Sequence, residues 1–335
     1  MPLSELRLIE RIAQASRSAR KATGRGAASK VVESIGDDCA ILSTAAGMET
    51  LVTTDFSLEG VHFRRQWHPA DSVGHRCLTR GLSDIAAMGG TPFAAFLSLA
   101  IPEDVPQRWV DQFFDGLLNT AHSVGVTLAG GDVAQSAAGV MADITVLGTV
   151  PEGRAVRRST AQPGDRIYVS GELGAPVALL EQMYATPERR FRASAYPAHF
   201  YPQAQLGLGR FLREKQLASA MIDISDGLSL DLQRLCRASG VGAVLREDAI
   251  PIASLNRHEV ELRHALHGGD EYQLLFTVPH GRRLPAEHGG VSLSLIGYII
   301  EGDEISMEYE NGYVTELEPE AWEHFSPRAK RALRK

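Results

Sequence analysis

The sequence predicts an α+β protein made of two mixed domains. Its 335 residues favour two domains, since one domain typically takes roughly 100–200 residues. Hydrophobic residues make up 44% of the chain and charged residues 22%, which is ordinary for a globular protein with a sizeable core. Short strand-like runs and longer helical patterns are both present, and a Pro-Glu-Gly turn at residues 151–153 separates two groups of them. We therefore expect domains at residues 1–152 and 153–335.

The first group of elements mixes helical patterns with short apolar runs. Apolar residues at helical spacing predict helices over residues 4–15, 69–88 and 103–123. The second of these helices has Cys77 and Leu82 on its apolar side and stops at Gly89, which suits a helix C-terminus. Residues 20–29 are small, basic and glycine-rich and predict a mobile loop. The apolar runs predict strands over residues 40–43, 49–53, 61–63, 93–101, 125–129 and 140–150.

The second group has the same mixed character. Strands are predicted over residues 166–170, 221–224 and 268–278, and helices over residues 175–183, 203–219 and 228–238. Residues 184–201 are polar, aromatic and irregular, and the C-terminal part alternates short strands with turns.

Charge, hydropathy and cysteine usage exclude several classes of protein. Lys and Arg number 34 against 41 Asp and Glu, a formal charge of −7, which argues against a broad nucleic-acid surface. The longest apolar stretches, such as residues 93–97, are far short of the roughly 20 residues of a membrane span, and the charged N-terminus does not resemble a signal peptide. The three cysteines form no C-x-x-C pair, so we expect neither a disulfide framework nor a zinc cage. This cysteine usage predicts a cytoplasmic location.

Acidic residues recur at or near the ends of the predicted elements, mostly beside glycine, serine or threonine. The motifs are Gly36-Asp37-Asp38, Thr53-Thr54-Asp55, Ser83-Asp84, Gly130-Gly131-Asp132, Asp223-Ile224-Ser225-Asp226-Gly227 and Gly268-Gly269-Asp270-Glu271. The ends of buried elements often converge at one cleft, and scattered surface acids would not favour such places. We therefore expect these carboxylates to line a single cleft.

The composition of these motifs points to a metal-nucleoside-phosphate site. Clustered carboxylates repel one another unless divalent cations neutralise them. The available ligands are carboxylate, hydroxyl and carbonyl oxygens, which suit Mg²⁺, Mn²⁺ or Ca²⁺ rather than zinc. Mg²⁺ held by carboxylates usually completes its shell with water and phosphate oxygens, and the glycines allow a backbone to approach a phosphate closely.

Each motif taken alone also has a purely structural explanation. A Gly-Asp pair is most often a turn, Ser225 or Asp226 suits a helix N-cap, and Asp84 suits an ion pair with Arg80 one turn earlier. His62 alone is more often a packing residue. Residues 24–30 approach the P-loop pattern but lack its second glycine and its Ser/Thr, so a basic loop that folds over a phosphate remains the alternative there.

Seven segments together closely resemble the thiamine-monophosphate kinase family. That family belongs to an ATP-binding superfamily with aminoimidazole ribonucleotide synthetase and selenophosphate synthetase, and the resemblance covers residues 4–326. The segments are IGDDCA (35–40), TTDFSLEGVHF (53–63), LSDIAAMG (82–89), GGD (130–132), RSTAQPGDRIY (158–168), DISDGL (223–228) and GGDEYQLLF (268–276). One departure is the order Asp270-Glu271, where the family usually has glutamate before aspartate, so which acid reaches the substrate is left open.

The resemblance implies a fold, a reaction and a set of roles. The fold is two α/β domains of the aminoimidazole-ribonucleotide-synthetase type, with the N-terminal domain pairing strands across a homodimer and ATP bound in the cleft between the domains. The reaction is Mg²⁺-dependent transfer of a phosphoryl group from ATP to thiamine monophosphate, which gives thiamine diphosphate. The resemblance implies that several Mg²⁺ ions are bound by Asp38, Thr53, Thr54, Asp55, Asp84, Asp132, Asp223 and Asp226. It implies that ATP is contacted by Gly131, Asp132, Arg158 and Ser225, and that the catalytic residues are Asp38, Asp55, Asp84, Asp132 and Asp223. The thiamine phosphate would be bound by His62, Asp270, Glu271 and Trp322.

Three other functions compete with this one. A cyclase of the same superfamily would use a different acceptor, a non-catalytic sensor would bind nucleotide without turnover, and a Mg²⁺-dependent phosphohydrolase would use water. The segment around Val61-His62-Phe63 and the closing Trp322-Glu323-His324-Phe325 favour the thiamine-phosphate branch.

Overall fold

The chain folds into two β-sheets with helices packed on them. The computed structural model describes residues 31–33, 40–255 and 260–320. Strands between residues 31 and 151 form the first sheet, and strands between residues 166 and 316 form the second. The mixed α+β class predicted from the sequence is thus confirmed.

The first sheet contains six strands in the described residues, in the order β1-β2-β3-β6-β4-β5. The strands are β1 Val31–Glu33, β2 Ala40–Ala45, β3 Met48–Leu58, β4 Thr91–Ile101, β5 Thr127–Gln135 and β6 Met141–Pro151. All neighbours are antiparallel except β4 and β5, which run parallel. Two helices, α1 Ala70–Ala87 and α2 Gln107–Ser123, pack against each other, and α1 lies on β3 and β6. Gly81 lets α1 approach closely, since a Cβ there would lie 2.5 Å from the Val146 side chain.

The opposite face of this sheet is open. Alternation along β6 buries Ile144 and Val146 under the helix and leaves Met141 and Asp143 on the other side. We call this second side the open face. It exposes the apolar side chains of Phe56, Phe93, Phe96 and Met141.

The second sheet has the described order β14-β13-β9-β12-β7-β10-β8, with β11 paired to β12. Its strands are β7 Arg166–Ser170, β8 Ala220–Ile224, β9 Gly242–Arg246, β10 Gln273–Val278, β11 Glu287–His288, β12 Val291–Ile300, β13 Ile305–Glu308 and β14 Val314–Glu316. The helices of this half are α3 Ala175–Ala185, α4 Pro197–Phe200, α5 Leu206–Glu214, α6 Leu228–Ser239 and α7 Leu262–His267. The second sheet is antiparallel apart from the pair β9–β13.

Helix α1 belongs to both halves of the molecule. Its C-terminal residues Ala86 and Ala87 pack in one apolar cluster with Leu212, Met221 and Phe276 of the second half. Helix α5 crosses α1 so closely that a Cβ on its Gly209 would lie 2.0 Å from the Ala86 carbonyl oxygen. Residues from both halves therefore meet along α1, and we call this contact the seam.

Most predicted elements are present, and the differences follow from local turns. Residues 61 and 62 are a turn rather than a strand, because the His62 N–H bonds back to the Leu58 carbonyl at 2.9 Å, and Phe63 forms an isolated bridge with Glu59. The helix predicted over residues 203–219 spans only Leu206–Glu214, and Gln216, two residues after its end, adopts a positive φ that a helix does not allow. The strand predicted over residues 268–278 begins only at Gln273. The predicted helix 4–15 and loop 20–29 lie outside the described residues.

Two acidic motifs lie inside strands and not at strand ends, contrary to the prediction. Thr53-Thr54-Asp55 lies within β3 and Gly130-Gly131-Asp132 within β5. In the described part of the chain, no helix is long and apolar enough to span a bilayer.

Candidate active site

Two arginines of α1 cross the seam and hold one carboxylate. Arg76 and Arg80 lie one helical turn apart, and each donates to a different oxygen of Asp270, at 2.8 Å and 2.9 Å. Their side chains are only 4% and 10% exposed, so both charges depend on such partners. Burial would raise the pKa of Asp270, but the two guanidinium groups overcome it and hold that pKa well below its usual range. Asp270 is thus a fixed anion in the seam.

The turn that carries Asp270 has an uncommon backbone. Asp270 and Tyr272 adopt φ values of 64° and 53°, a region that non-glycine residues seldom occupy. This conformation lets the Tyr272 hydroxyl donate to Asp270 at 2.6 Å, while the Tyr272 ring lies below the Arg80 guanidinium. Such backbone conformations cost about 1–3 kcal/mol each and cluster at functional sites. The turn therefore has the geometry expected of a site residue.

Asp55 of β3 faces the same seam from the first sheet. Its Oδ1 lies 3.5 Å from Arg80. Burial is the main cause that raises the pKa of Asp55 to about 6, and the charges of Asp223, Asp226 and Asp270 raise it further while Arg80 opposes them. Four carboxylates from both halves of the molecule therefore influence one another here.

Threonines beside Asp55 lie on opposite faces of the first sheet. Thr53 faces α1, where its hydroxyl donates to the Asp84 carboxylate. Thr54 lies on the open face and donates to Asp143 at 2.6 Å. Asp84 thus has a threonine partner on the neighbouring strand β3.

Asp132 also lies on the open face. The strand register places it beside Ser98, which is itself paired with Asp143. Asp132 is exposed, and it lies three strands away from Asp55 as well as on the other face of the sheet. The structure therefore brings Thr53, Asp55 and Asp84 to the helix side of this sheet, and leaves Thr54 and Asp132 on the other side.

A loop after β8 contributes the acids of the second half. Asp223 is buried at the end of the strand, and burial raises its pKa while Arg158 opposes the shift. The backbone N–H groups of residues 225, 226 and 227 all donate to one oxygen of Asp231, at 3.0–3.1 Å. Arg234 then bridges Asp231 and Asp226, at 2.7 Å and 2.5 Å. Asp231 and Arg234 fix the loop that presents Ser225 and Asp226.

The two acids of the Gly268–Glu271 motif have opposite environments. Asp270 is 28% exposed and faces the seam. Glu271 is 5% exposed, and its Oε1 accepts the Gly174 N–H at 2.6 Å at the start of α3. Burial raises the pKa of Glu271 well above its usual range. Of the two acids, Asp270 faces the seam and Glu271 supports a helix.

His62 is held beside the same cluster. The Leu58 N–H donates to its Nδ1 at 2.9 Å, which leaves the ring proton on Nε2, and its carbonyl accepts from Arg76 at 3.3 Å. Asp38 and Trp322 lie outside the described residues.

The donor chemistry of the seam fits a hard divalent cation. Carboxylate and threonine oxygens lie on the same side of the sheet as Asp55, and burial together with the charges of neighbouring carboxylates raises its pKa, which a bound cation would counteract. Within the described residues, no three Asp, Glu, His or Cys side chains are close enough to form a complete metal site. The residues present thus supply only part of an oxygen coordination shell. This is enough for a Mg²⁺ ion that arrives with a phosphate, because water and phosphate oxygens complete its shell.

Four residues of this site were not predicted from the sequence, namely Arg76, Arg80, Asp231 and Arg234. A signal existed for the two helix residues. Arg76 and Arg80 lie within a stretch of α1 that is otherwise buried, and charged residues in such a stretch need partners. Nothing in the spacing indicated that their partner lies 194 and 190 residues away.

Known proteins resemble this chain over most of its length. Two family models match, the AIR synthase related protein N-terminal domain over residues 36–150 and its C-terminal domain over residues 162–310. The thiamine-monophosphate kinase of Escherichia coli K12 is 34% identical over 303 residues, which cover 87% of this chain and 91% of that protein.

Solved structures give the same result. The thiamine-monophosphate kinase of Stenotrophomonas maltophilia K279a is 32% identical with a TM-score of 0.72, covering 92% of this chain and 98% of that one. AaThiL complexed with AMPPCP and TMP is 29% identical with a TM-score of 0.81, covering 97% of this chain and 99% of that one. On the identity and coverage of these relatives, the chain belongs to the thiamine-monophosphate kinase family.

Proposed function

We propose that this protein is a transferase that moves the terminal phosphoryl group of ATP onto thiamine monophosphate and so forms thiamine diphosphate. One observation carries the proposal. The charges of Asp223, Asp226 and Asp270 from the second half act on Asp55 of the first sheet, in a chain whose structural relative is complexed with AMPPCP and TMP. Such a crowded set of acids suits two phosphate-bearing substrates that arrive with cations.

We propose that the cleft holds ATP with several Mg²⁺ ions. The proposed metal ligands are Asp38, Thr53, Thr54, Asp55, Asp84, Asp132, Asp223 and Asp226. Gly131, Asp132, Arg158 and Ser225 would contact the nucleotide. When bound, Mg²⁺ neutralises phosphate charge and draws the two phosphates together. Thr53, Asp55 and Asp84 lie on the helix side of the first sheet, which favours their role as metal ligands, whereas Thr54 and Asp132 lie on the open face.

The acceptor requires no general base. A phosphate monoester is already ionised near neutral pH, so the barrier is the repulsion between two polyanions. The chain meets this barrier with fixed charges: Arg158 lies beside Asp223, and Arg80 lies between Asp55 and Asp270. Transfer is direct and in line, without a phosphoenzyme. Stereochemical analysis with a chiral terminal phosphate should show inversion, and net retention would count against direct transfer.

The acceptor lies on the side of the cleft formed by His62 and Asp270. Asp270 is the better candidate of the two neighbouring acids, since Glu271 is buried against α3. Trp322 is proposed to stack on the cationic thiazolium or the pyrimidine ring.

We also propose that the protein is a homodimer and that each chain is divided into two domains. Four large apolar side chains on the open face, Phe56, Phe93, Phe96 and Met141, are 40–57% exposed, which favours coverage by a second copy of the first sheet. The division falls at residues 152 and 153, between β6 and β7. A cytoplasmic location stays a prediction.

The first experiment measures ADP formation from Mg·ATP with and without thiamine monophosphate. ADP that appears only with the acceptor, together with thiamine diphosphate identified by its mass, supports the proposal. ADP released without any acceptor favours a phosphohydrolase. Nucleotide binding without turnover favours a sensor.

A further inference from the structure

The two seam arginines differ in how fully their donors are used. Arg76 donates to the His199 carbonyl, the His62 carbonyl and Asp270, and it is 4% exposed. Arg80 has five N–H donors, and its partners among the described residues are Asp270 at 2.9 Å and Asp55 at 3.5 Å. Arg76 is therefore an anchor, while Arg80 has donors available for a ligand.

The bond from Arg80 to Asp55 is weak. Charge-assisted N–H···O bonds are usually about 2.7–2.9 Å long, and this one measures 3.5 Å. Asp270 must also serve two guanidinium groups at once. The N–H group that Arg80 directs at Asp55 is therefore only weakly bonded, at the edge of a cleft where Asp55 and Asp270 are about one-third exposed (32% and 28%). An oxygen of a ligand phosphate can replace this weak partner.

The surroundings hold the Arg80 guanidinium in one orientation. Asp270 is fixed by Arg76 and by the Tyr272 hydroxyl, and the Tyr272 ring lies 5.9 Å from the Arg80 Cζ atom. The uncommon φ values of Asp270 and Tyr272 produce both contacts together. A planar guanidinium held in this way presents paired donors that match two oxygens of a phosphate.

We propose that Arg80 binds the phosphate of the acceptor, with Arg76 and Asp270 as positioning residues, and that this contact selects a phosphorylated acceptor over the free alcohol. The inference rests on the proposed function and adds a residue and a specificity to it. The acceptor phosphate is a better match than the nucleotide phosphates, because Arg80 is hydrogen-bonded to Asp270, which in turn shares Arg76 with the His62 carbonyl. The charge of Arg158 acts instead on Asp223.

The test compares ligands with and without the phosphate. Calorimetry on the full chain with Mg²⁺ and AMPPCP would measure the affinity for thiamine monophosphate and for thiamine, in the wild-type protein and in Arg80→Met. A hydrogen-bonded charge pair is worth about 1.5–3 kcal/mol, so we expect thiamine monophosphate to bind ~10- to 100-fold more weakly to the variant. Thiamine affinity should stay the same, so the preference for the phosphorylated ligand is lost.

Three results would overturn the assignment. Equal weakening of both ligands would mean that Arg80 only supports the structure. Weaker AMPPCP binding, with thiamine monophosphate unaffected, would mean that Arg80 binds the nucleotide. Unchanged affinity for thiamine monophosphate would mean that Arg80 contacts no phosphate.

Further variants keep the test decisive if Arg80→Met folds poorly. Arg80→Lys keeps the charge but loses the paired donors, and should give a smaller loss in the same ligand-specific pattern. Asp270→Asn releases the guanidinium and should raise the KM for thiamine monophosphate more than it lowers kcat. Arg263→Met is the matched control, because Arg263 forms an exposed ion pair with Glu181 at 2.7 Å.

The same preparation separates this inference from the proposed function. Wild-type protein that forms no ADP with thiamine monophosphate overturns both. Active wild-type protein, with an Arg80→Met variant that keeps the wild-type ligand preference, overturns only the role of Arg80.

Discussion

The seam and the open face are two sides of one sheet with opposite chemistry. At the seam, Arg76 of the first half pairs with Asp270 of the second, and on the same side of the sheet Thr53 pairs with Asp84 of α1. The open face instead exposes Phe56 and Phe96 beside the Thr54–Asp143 hydrogen bond. Strand alternation alone produces this difference, because neighbouring residues of β3 point to opposite sides. Adjacent residues of one motif therefore need not serve one site.

The largest expected effect comes from the seam carboxylate Asp55. Asp55→Asn removes a charge that the seam places among the proposed metal ligands, and we expect kcat for thiamine diphosphate formation to fall by about 10²- to 10³-fold with the fold intact. Asp303→Asn, at an exposed position in the turn between β12 and β13, is the control and should stay within a few-fold of wild type. Steady-state ADP assays at limiting Mg²⁺ check both. Wild-type turnover by Asp55→Asn would remove the metal assignment.

Asp132→Asn tests whether the open face joins the site at all. A loss comparable to that of Asp55→Asn would show that both faces serve catalysis, which a second copy covering the open face would explain. A loss no larger than that of Asp303→Asn would confine the site to the seam.

A substitution on the open face should change the molecular mass of the particle in solution. Phe96→Asp places a charge in the middle of the proposed dimer contact, where burying an unpaired carboxylate is costly. We expect light scattering to report half the mass of the wild-type particle. Arg246→Asp, at an exposed position of β9 in the second sheet, is the control. A wild-type particle that is already a monomer would remove the dimer.

Glu271 gives a smaller effect, and it affects stability rather than the substrate. Glu271→Ala leaves the buried Gly174 N–H without an acceptor, which costs about 1–3 kcal/mol. Urea unfolding should show this loss, while the KM for thiamine monophosphate stays close to wild type. A KM that rises as much as in Asp270→Asn would return Glu271 to the substrate site.

Sequence periodicity was sufficient for elements that bury one face. The pattern of residues 69–88 predicted α1 to within a residue at each end, and that of residues 140–150 predicted β6 in the same way. These elements depend on local spacing, which a sequence displays directly. The acidic motifs also predicted a single cleft, and the charges of Asp223, Asp226 and Asp270 do act on Asp55.

The features of the site that sequence periodicity did not predict depend on contacts between distant residues and on uncommon backbone conformations. The different fates of Asp270 and Glu271 follow from a positive φ at a non-glycine residue, which no local pattern signals. The strand positions of Thr54 and Asp132 follow from β3 and β5 being longer than their apolar runs. The pairing of Arg80 with Asp270 joins residues 190 positions apart.

The smallest effect concerns two buried histidines that couple the halves of the seam. His68 and His199 lie with their Nε2 atoms 3.1 Å apart, and His199 Nδ1 donates to the Pro176 carbonyl, so a neutral pair satisfies both rings. Burial, with the charge of Arg76, lowers the pKa of His68 to about 3, and the same causes lower that of His199 well below its usual range.

Stability should therefore fall as the pH drops below about 6.5. The unfolded chain binds a proton at His68 near pH 6.5, whereas the folded chain does not until the pH approaches 3, so acid favours the unfolded state in that window. At ~1.4 kcal/mol per pH unit, His68 alone accounts for about 2 kcal/mol between pH 6.5 and pH 5. Urea unfolding at the two pH values should show a smaller difference in His68→Gln than in the wild-type chain. His122→Gln, at the exposed end of α2, should keep the wild-type difference, and an equal slope in all three proteins would mean that the seam histidines do not stay neutral.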